Sequence, residues 1–332
     1  MNIQENSKIA VIGYGSWATA IVGILTGNGH IVNWYIRNQE ILESVVSDGM
    51  NSRYLPDLEL DRDSISATDD LNKVVRESDI LIMAMPSAYV RNFLEPLTES
   101  LDDKFIISAI KGIVPDSYLT VTEYFNKTYS IPYRRLGVVS GPTHAEEVSH
   151  GRMTYISVAC VDESDAQYVG KLFENNHLRV NYTSDIYGIE YAAILKNIYA
   201  IAAGIATGLG YGDNFLAVLV SSCAQEMSRF LIGTNPSDKE HWDKNYLGDL
   251  LVTCYSSYSR NRRFGQLIGK GCTVKSALNE MTMIAEGYFA AEGIQHINKK
   301  HSIEMPIADM VFDVLYNKAN ARKAMKNLAS QL

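Results

Sequence analysis

Three stretches of the chain carry residue types that could do chemistry together. Lys196 lies in an apolar run, with Ala192, Ala193, Ala200 and Ala203 at i-4, i-3, i+4 and i+7, so small side chains leave space above its amine. Desolvation among such neighbours disfavours the charged form of an amine, which suits a lysine for exchanging a proton with a carbonyl or alcohol. Further on, Gly248-Asp249-Leu250 precedes Ser259-Arg260-Asn261-Arg262-Arg263-Phe264-Gly265. Ser257 or Ser259 can cap a helix there, and three arginines in its first turn oppose the helix dipole unless something negative balances them. A bound phosphate meets that need, and so would Asp249 or Glu286.

The third stretch is Gly13-Tyr14-Gly15-Ser16-Trp17-Ala18, which follows a short apolar run and opens a helical pattern. In that setting the first glycine permits a tight turn, the second lets backbone approach a pyrophosphate, and Ala18 allows close packing of helix on strand. A dinucleotide is the expected ligand. Where NAD-selective proteins place an acid for the ribose hydroxyls, this chain has Trp34-Tyr35-Ile36-Arg37-Asn38. An arginine can pair a 2′-phosphate there, so NADP is favoured with NAD left open. Lys111-Gly112 ends another apolar run, at the strand edge where open α/β sheets bind ligands. Ser140-Gly141-Pro142-Thr143-His144-Ala145-Glu146 ends a further run and reads as a capping box, with Thr143 as cap and Glu146 three residues on.

These residues need a scaffold, and the hydrophobic pattern supplies one. Apolar runs at 8–12, 31–36, 80–85, 105–110, 136–139 and 155–160 alternate with helical segments, which predicts an α/β, doubly wound Rossmann-type domain with a parallel sheet. From about residue 186 only helical segments follow, at 189–207, 215–232, 260–268, 274–281, 287–298, 306–315 and 319–329. The expected division is a dinucleotide-binding domain over 1–186 and an all-α substrate and catalytic domain over 187–332.

Composition bounds the partners. A net charge of -8 over 332 residues argues against nucleic acid or an anionic membrane surface as a partner. Residues 1–7 lack the pattern of a secretory signal, and Lys196 and Asn197 interrupt the longest greasy stretch, so neither export nor a membrane span is expected. Cys160, Cys223, Cys254 and Cys272 show no zinc or redox spacing, so no metal is expected and the thiols read as reduced and cytoplasmic.

Taken together, these marks resemble the bacterial-type NAD(P)-dependent glycerol-3-phosphate dehydrogenases along nearly the whole chain. The resemblance is carried by the Gly13 to Ala18 fingerprint, Lys111-Gly112, Ser140 to Thr143 with Ala145 and Glu146, Lys196-Asn197, Leu247 to Leu250, Thr253-Cys254, Ser259 to Gly265, and Glu286-Gly287. It implies reversible reduction of dihydroxyacetone phosphate to sn-glycerol 3-phosphate, the backbone precursor of phospholipids, in a cytoplasmic homodimer. It further implies that Lys196 is the acid-base residue, oriented by Asp249, and that Lys111, Gly141, Thr143, Asp249, Ser259, Arg260 and Asn261 surround the substrate. Ser16, Trp17, Arg37, Lys111, Ala145, Arg260, Ile284 and Glu286 would join Gly13 and Gly15 at the cofactor. Tyr246, Ala291 and the polar stretch 233–245 depart from the family pattern. Two rivals are a two-domain reductase of a carboxylate substrate, of the ketopantoate or 6-phosphogluconate type, and a dinucleotide-sensing protein without catalysis.

Overall fold

Four consecutive buried aliphatic residues form the first strand, Ile9–Ile12 (β1). A run apolar on both faces belongs in the middle of a parallel sheet covered by helices, where β1 lies. The computed structural model describes residues 6–235, 244–281 and 283–332. Seven more strands follow: Val32–Tyr35 (β2), Ile65–Thr68 (β3), Ile80–Met83 (β4), Phe105–Ser108 (β5), Leu136–Ser140 (β6), Thr154–Cys160 (β7) and Leu178–Thr183 (β8). They form one sheet in the order β3-β2-β1-β4-β5-β6-β7-β8. The order reverses between β1 and β4, so a crevice opens outside their carboxyl ends, at Gly13.

The sheet departs from the sequence expectation in two ways. First, β7 runs antiparallel to β6, although every other neighbouring pair is parallel. The connection between them carries only the short helix Ala145–Ser149, and a parallel return needs a full crossover. Second, β3 and β8 were not foreseen. Both are edge strands, only partly buried, and their sequences, ISAT and LRVNYT, lack the continuous apolar run of β1 and β4.

The chain divides into two compact units, residues 1–110 with 121–186, and residues 111–120 with 187–332. The placement of 111–120 differs from the contiguous division expected. Its ties to the helical unit explain this: Asn197 donates to the Lys111 carbonyl at 2.8 Å, and the Tyr118 ring stacks on His296 with centroids 4.1 Å apart.

The second unit is helical, with helices at Ile186–Gly208, Asp213–Thr234, Asp249–Tyr255, Arg260–Gly269, Val274–Glu280, Glu286–Asn298, Pro306–Leu315 and Ala321–Ala329. Of these, Asp249–Tyr255 had not been anticipated as a helix. The first two are long and apolar enough to cross a membrane, including the stretch in which Lys196 and Asn197 were expected to prevent this. The apolar window of the first is wholly buried in protein, as in a core helix, and that of the second is half buried. All four cysteines are free thiols. Of the departures from the family pattern, Tyr246 and Ala291 are buried, and 236–243 lie outside the described residues.

Glycines decide how Ile186–Gly208 meets Arg260–Gly269. A Cβ added at Gly204 would stand 2.1 Å from the Arg262 carbonyl oxygen, and one at Gly265 would stand 2.2 Å from that of Ile201. One turn further, Gly208 and Gly269 repeat the contact against Gln266 and Ile205. Backbone therefore touches backbone, which places Asn261, a turn before Gly265, against Asn197, a turn before Ile201. Gly265→Ala should lower the melting temperature of this unit by about 2–8 °C through overpacking. Gly27→Ala, in the helix Ser16–Gly27 of the first unit, where nothing lies within 4 Å of the added methyl, should leave the melting temperature of the protein unchanged or slightly raised. Equal melting curves for the two variants would show that the helices are not in contact.

Candidate functional site

In the first unit, Gly13 adopts a φ of +126°, and a Cβ there would lie 2.3 Å from the Ala84 carbonyl oxygen, so only glycine fits. The carbonyls of the loop are all turned inward to protein donors. Trp34 Nε1 donates to Gly13 O at 2.6 Å, Asn51 Nδ2 to Tyr14 O at 2.9 Å, and Thr19 Oγ1 to Gly15 O at 3.0 Å. With the carbonyls held back, the helix Ser16–Gly27 starts with Gly15 as cap, no side-chain cap and no acid in its first turn. A Cβ on Gly15 would meet nothing within 4 Å, which leaves open space in front of the helix start. This is a cradle for an anionic group such as a pyrophosphate, and Ser16, Trp17 and the buried Ala18 form its first turn. Asn51 and Trp34 were missed by the sequence analysis. A buried asparagine in a loop has no spacing signal, and the tryptophan read only as part of a strand.

Arg37 follows β2, exposed, with its guanidinium 4.6 Å from the centre of the Phe93 ring. Its Nη1 donates to Asn92 Oδ1 and, at 3.4 Å, to Asn92 O. A guanidinium has five donors, so this seat positions the group without exhausting it.

Gly141 also has a positive φ, +123°, and a Cβ there would press on β7 at 2.9 Å from the Tyr155 carbonyl oxygen, so glycine is needed on both counts. Thr143 Oγ1 donates to Gly141 O at 3.1 Å. The expected capping box is therefore not formed: His144, without a side-chain cap, precedes the helix Ala145–Ser149. The threonine hydroxyl is directed to the turn before it instead.

The second unit gathers the proton-carrying residues. Lys196 donates to Asp249 Oδ1, and Lys111 Nζ lies 3.8 Å from Asp249 Oδ2. Lys196 and Asp249 are 4% and 3% exposed, which places one carboxylate between two ammonium groups and out of water. While both amines are protonated, two cations on one anion leave a net positive charge in a low-dielectric setting, suited to an anionic oxygen. Burial pushes the Lys111 amine down to about 7; Asp249 opposes that shift and the Lys196 charge adds to it.

Asparagines tie this centre to the neighbouring helices. Asn261 Nδ2 donates to Asn197 Oδ1 at 2.8 Å, and Gly287 N donates to Asn261 Oδ1 at 2.9 Å. Asn261 thus spends its oxygen and one of its two N–H bonds on protein partners. Thr253 Oγ1 donates to the Asp249 carbonyl at 2.6 Å and steadies the helix that carries the carboxylate. Neither Asn197 nor Thr253 was given a role from sequence, although a polar residue inside an apolar helix signals a partner.

Ser259 caps Arg260–Gly269, accepting from Arg262 N at 3.3 Å. Arg260 and Arg263, three residues apart, share one face of this helix, whereas Arg262 lies on roughly the opposite side; Arg263 is exposed and Arg262 half-buried. Arg260, half-buried, adjoins Asn261. Ile284 and Glu286 lie at the start of the helix Glu286–Asn298, with Ala285 as its cap. The candidate residues therefore fall in two groups: Gly13, Gly15, Ser16, Trp17, Arg37, Gly141, Thr143 and Ala145 in the first unit, and Lys111, Lys196, Asp249, Ser259, Arg260, Asn261, Ile284 and Glu286 in the second.

Comparison with known proteins matches stretches of both units. Residues 8–166 fit the family model described as NAD-dependent glycerol-3-phosphate dehydrogenase N-terminus, and residues 185–326 fit the corresponding C-terminus. Glycerol-3-phosphate dehydrogenase [NAD(P)+] of Staphylococcus carnosus is 36% identical over 97% of this chain and 97% of its own. That of an Exiguobacterium species is 38% identical over 97% of this chain and 95% of its own. The crystal structure of glycerol-3-phosphate dehydrogenase from Coxiella burnetii superposes with a TM-score of 0.89 at 28% identity, covering 97% of this chain and 98% of that one. A ketopantoate reductase from Ralstonia eutropha shares the fold at a TM-score of 0.60 and 14% identity, over 96% and 99% of the two chains. Matched over both units, the chain belongs to the NAD-dependent glycerol-3-phosphate dehydrogenase family.

Proposed function

We propose that this chain catalyses the reversible, NAD(P)H-dependent reduction of dihydroxyacetone phosphate to sn-glycerol 3-phosphate. The observation that carries the mechanism is the Asp249 carboxylate shared by Lys196 and Lys111. The first-unit cradle, with its inward carbonyls and open space at Gly15, fits the pyrophosphate of a nicotinamide dinucleotide. When bound, that cofactor supplies hydride to the ketone carbon. Lys196 holds the proton that the ketone oxygen takes up, and Asp249 fixes the direction of its amine. The Lys111 charge stabilises the oxygen as negative charge develops, as does any preorganised cation in a dry site. Arg260 and the remaining Asn261 N–H hold the substrate phosphate, so that binding at the remote end orients the reacting carbon. Gly141 and Thr143 contribute the substrate shell from the first unit, while Ala145, Ile284 and Glu286 contact the cofactor. Arg37, seated on Phe93, favours NADPH by pairing the 2′-phosphate. A cytoplasmic homodimer completes the proposal.

The purified chain should oxidise NADPH, and NADH more weakly, when given dihydroxyacetone phosphate, and should do neither with ketopantoate; the reverse pattern overturns the assignment. Lys196→Ala should lower kcat by about 10²–10⁴-fold, the range for loss of a general acid, with NADPH affinity by fluorescence nearly unchanged. Undiminished turnover removes Lys196 from the mechanism. A pH profile tests Lys111. Its amine is protonated below about 7 and neutral above, so kcat/KM for the anionic substrate should fall as pH rises through that value. Lys111→Arg keeps its charge far above this range, so the falling limb should move to higher pH; coincident profiles would show that the limb belongs to another group.

A further inference from the structure

A second pocket in the helical unit takes no part in the reaction above. Its volume is about 870 Å³, within the range of about 300–1,000 Å³ usual for small-molecule sites. Leu209, Ile268, Leu278 and Val314 give it an aliphatic wall. Four cations, Lys270, Lys275, Lys318 and Arg322, line it, and no Asp or Glu among the described residues does. The chain as a whole is acidic, with 38 Asp and Glu against 30 Lys and Arg, so this pocket reverses the prevailing sign.

Local structure accounts for only two of the four charges. Lys270 and Lys318 follow the carboxyl ends of Arg260–Gly269 and Pro306–Leu315, where the helix dipole favours a cation. Arg322 is different: it is the second residue of Ala321–Ala329, whose first turn has no acid, so its charge adds to the positive end of that helix. Lys275 stands likewise at the second position of Val274–Glu280. Neither forms an ion pair among the described residues. These two exposed cations, with no acid among the described lining residues to oppose them, stand beside an aliphatic wall and match a ligand that is anionic at one end and greasy at the other.

We propose that this pocket binds a single-chain anionic amphiphile, with its alkyl tail on the aliphatic wall and its head group at Lys275 and Arg322. Calorimetric titration of the full chain with decyl phosphate below its micellar concentration, in saturating sn-glycerol 3-phosphate, tests this against inorganic phosphate and the uncharged decyl glucoside. Decyl phosphate should bind at least about tenfold more tightly than either partial probe. The double variant Lys275→Glu/Arg322→Glu, and separately Leu278→Trp, which fills the wall, should each weaken it by about tenfold or more, with turnover of dihydroxyacetone phosphate unchanged. No binding, equal affinity for all three probes, or affinity untouched by both variants overturns the proposal.

Discussion

The structure depends on one carboxylate held between two lysine amines and largely out of water. Burying an ion pair gains little net stability, and removing one partner of such a pair costs about 3–5 kcal/mol. Asp249 thus has to be delivered to Lys196 and Lys111 together, and those three residues come from three separate stretches of chain. Much of the helical unit can be understood as the means of delivery. Lys196 rides on a wholly buried helix, Asp249 begins a short helix steadied by Thr253, and Lys111 is tied by its own carbonyl to Asn197.

That arrangement also explains the density of small residues around it. Gly204 and Gly208 against Gly265 and Gly269 bring two helix backbones into contact, and Gly287 sits against the Asn197 carbonyl at a distance that no side chain would tolerate. The Asn197, Asn261 and Gly287 chain of hydrogen bonds can close only because the helices approach so nearly. Stability and chemistry draw here on the same contacts, so a change in packing is felt at the amines.

The first unit solves a different problem by a parallel device. An anion needs donors facing it and acceptors facing away. The loop after β1 achieves this by occupying three successive carbonyls with Trp34, Asn51 and Thr19, each from a different element.

The sequence by itself determined a good deal: the α/β then all-α order, the dinucleotide loop, Lys196 as an amine among apolar neighbours and Ser259 as one of two possible helix caps. These were legible because periodicity, glycine spacing and a charge in an apolar run are local properties. The tertiary structure decided the rest. It turned β7 against β6, assigned 111–120 to the helical unit and used Thr143 in a turn instead of a cap. It also made Asp249 common to two lysines and gave Asn197 and Asn51 their roles. Each of these is a relation between residues far apart in the chain, set by which surfaces can be buried together, and no local pattern encodes such a relation.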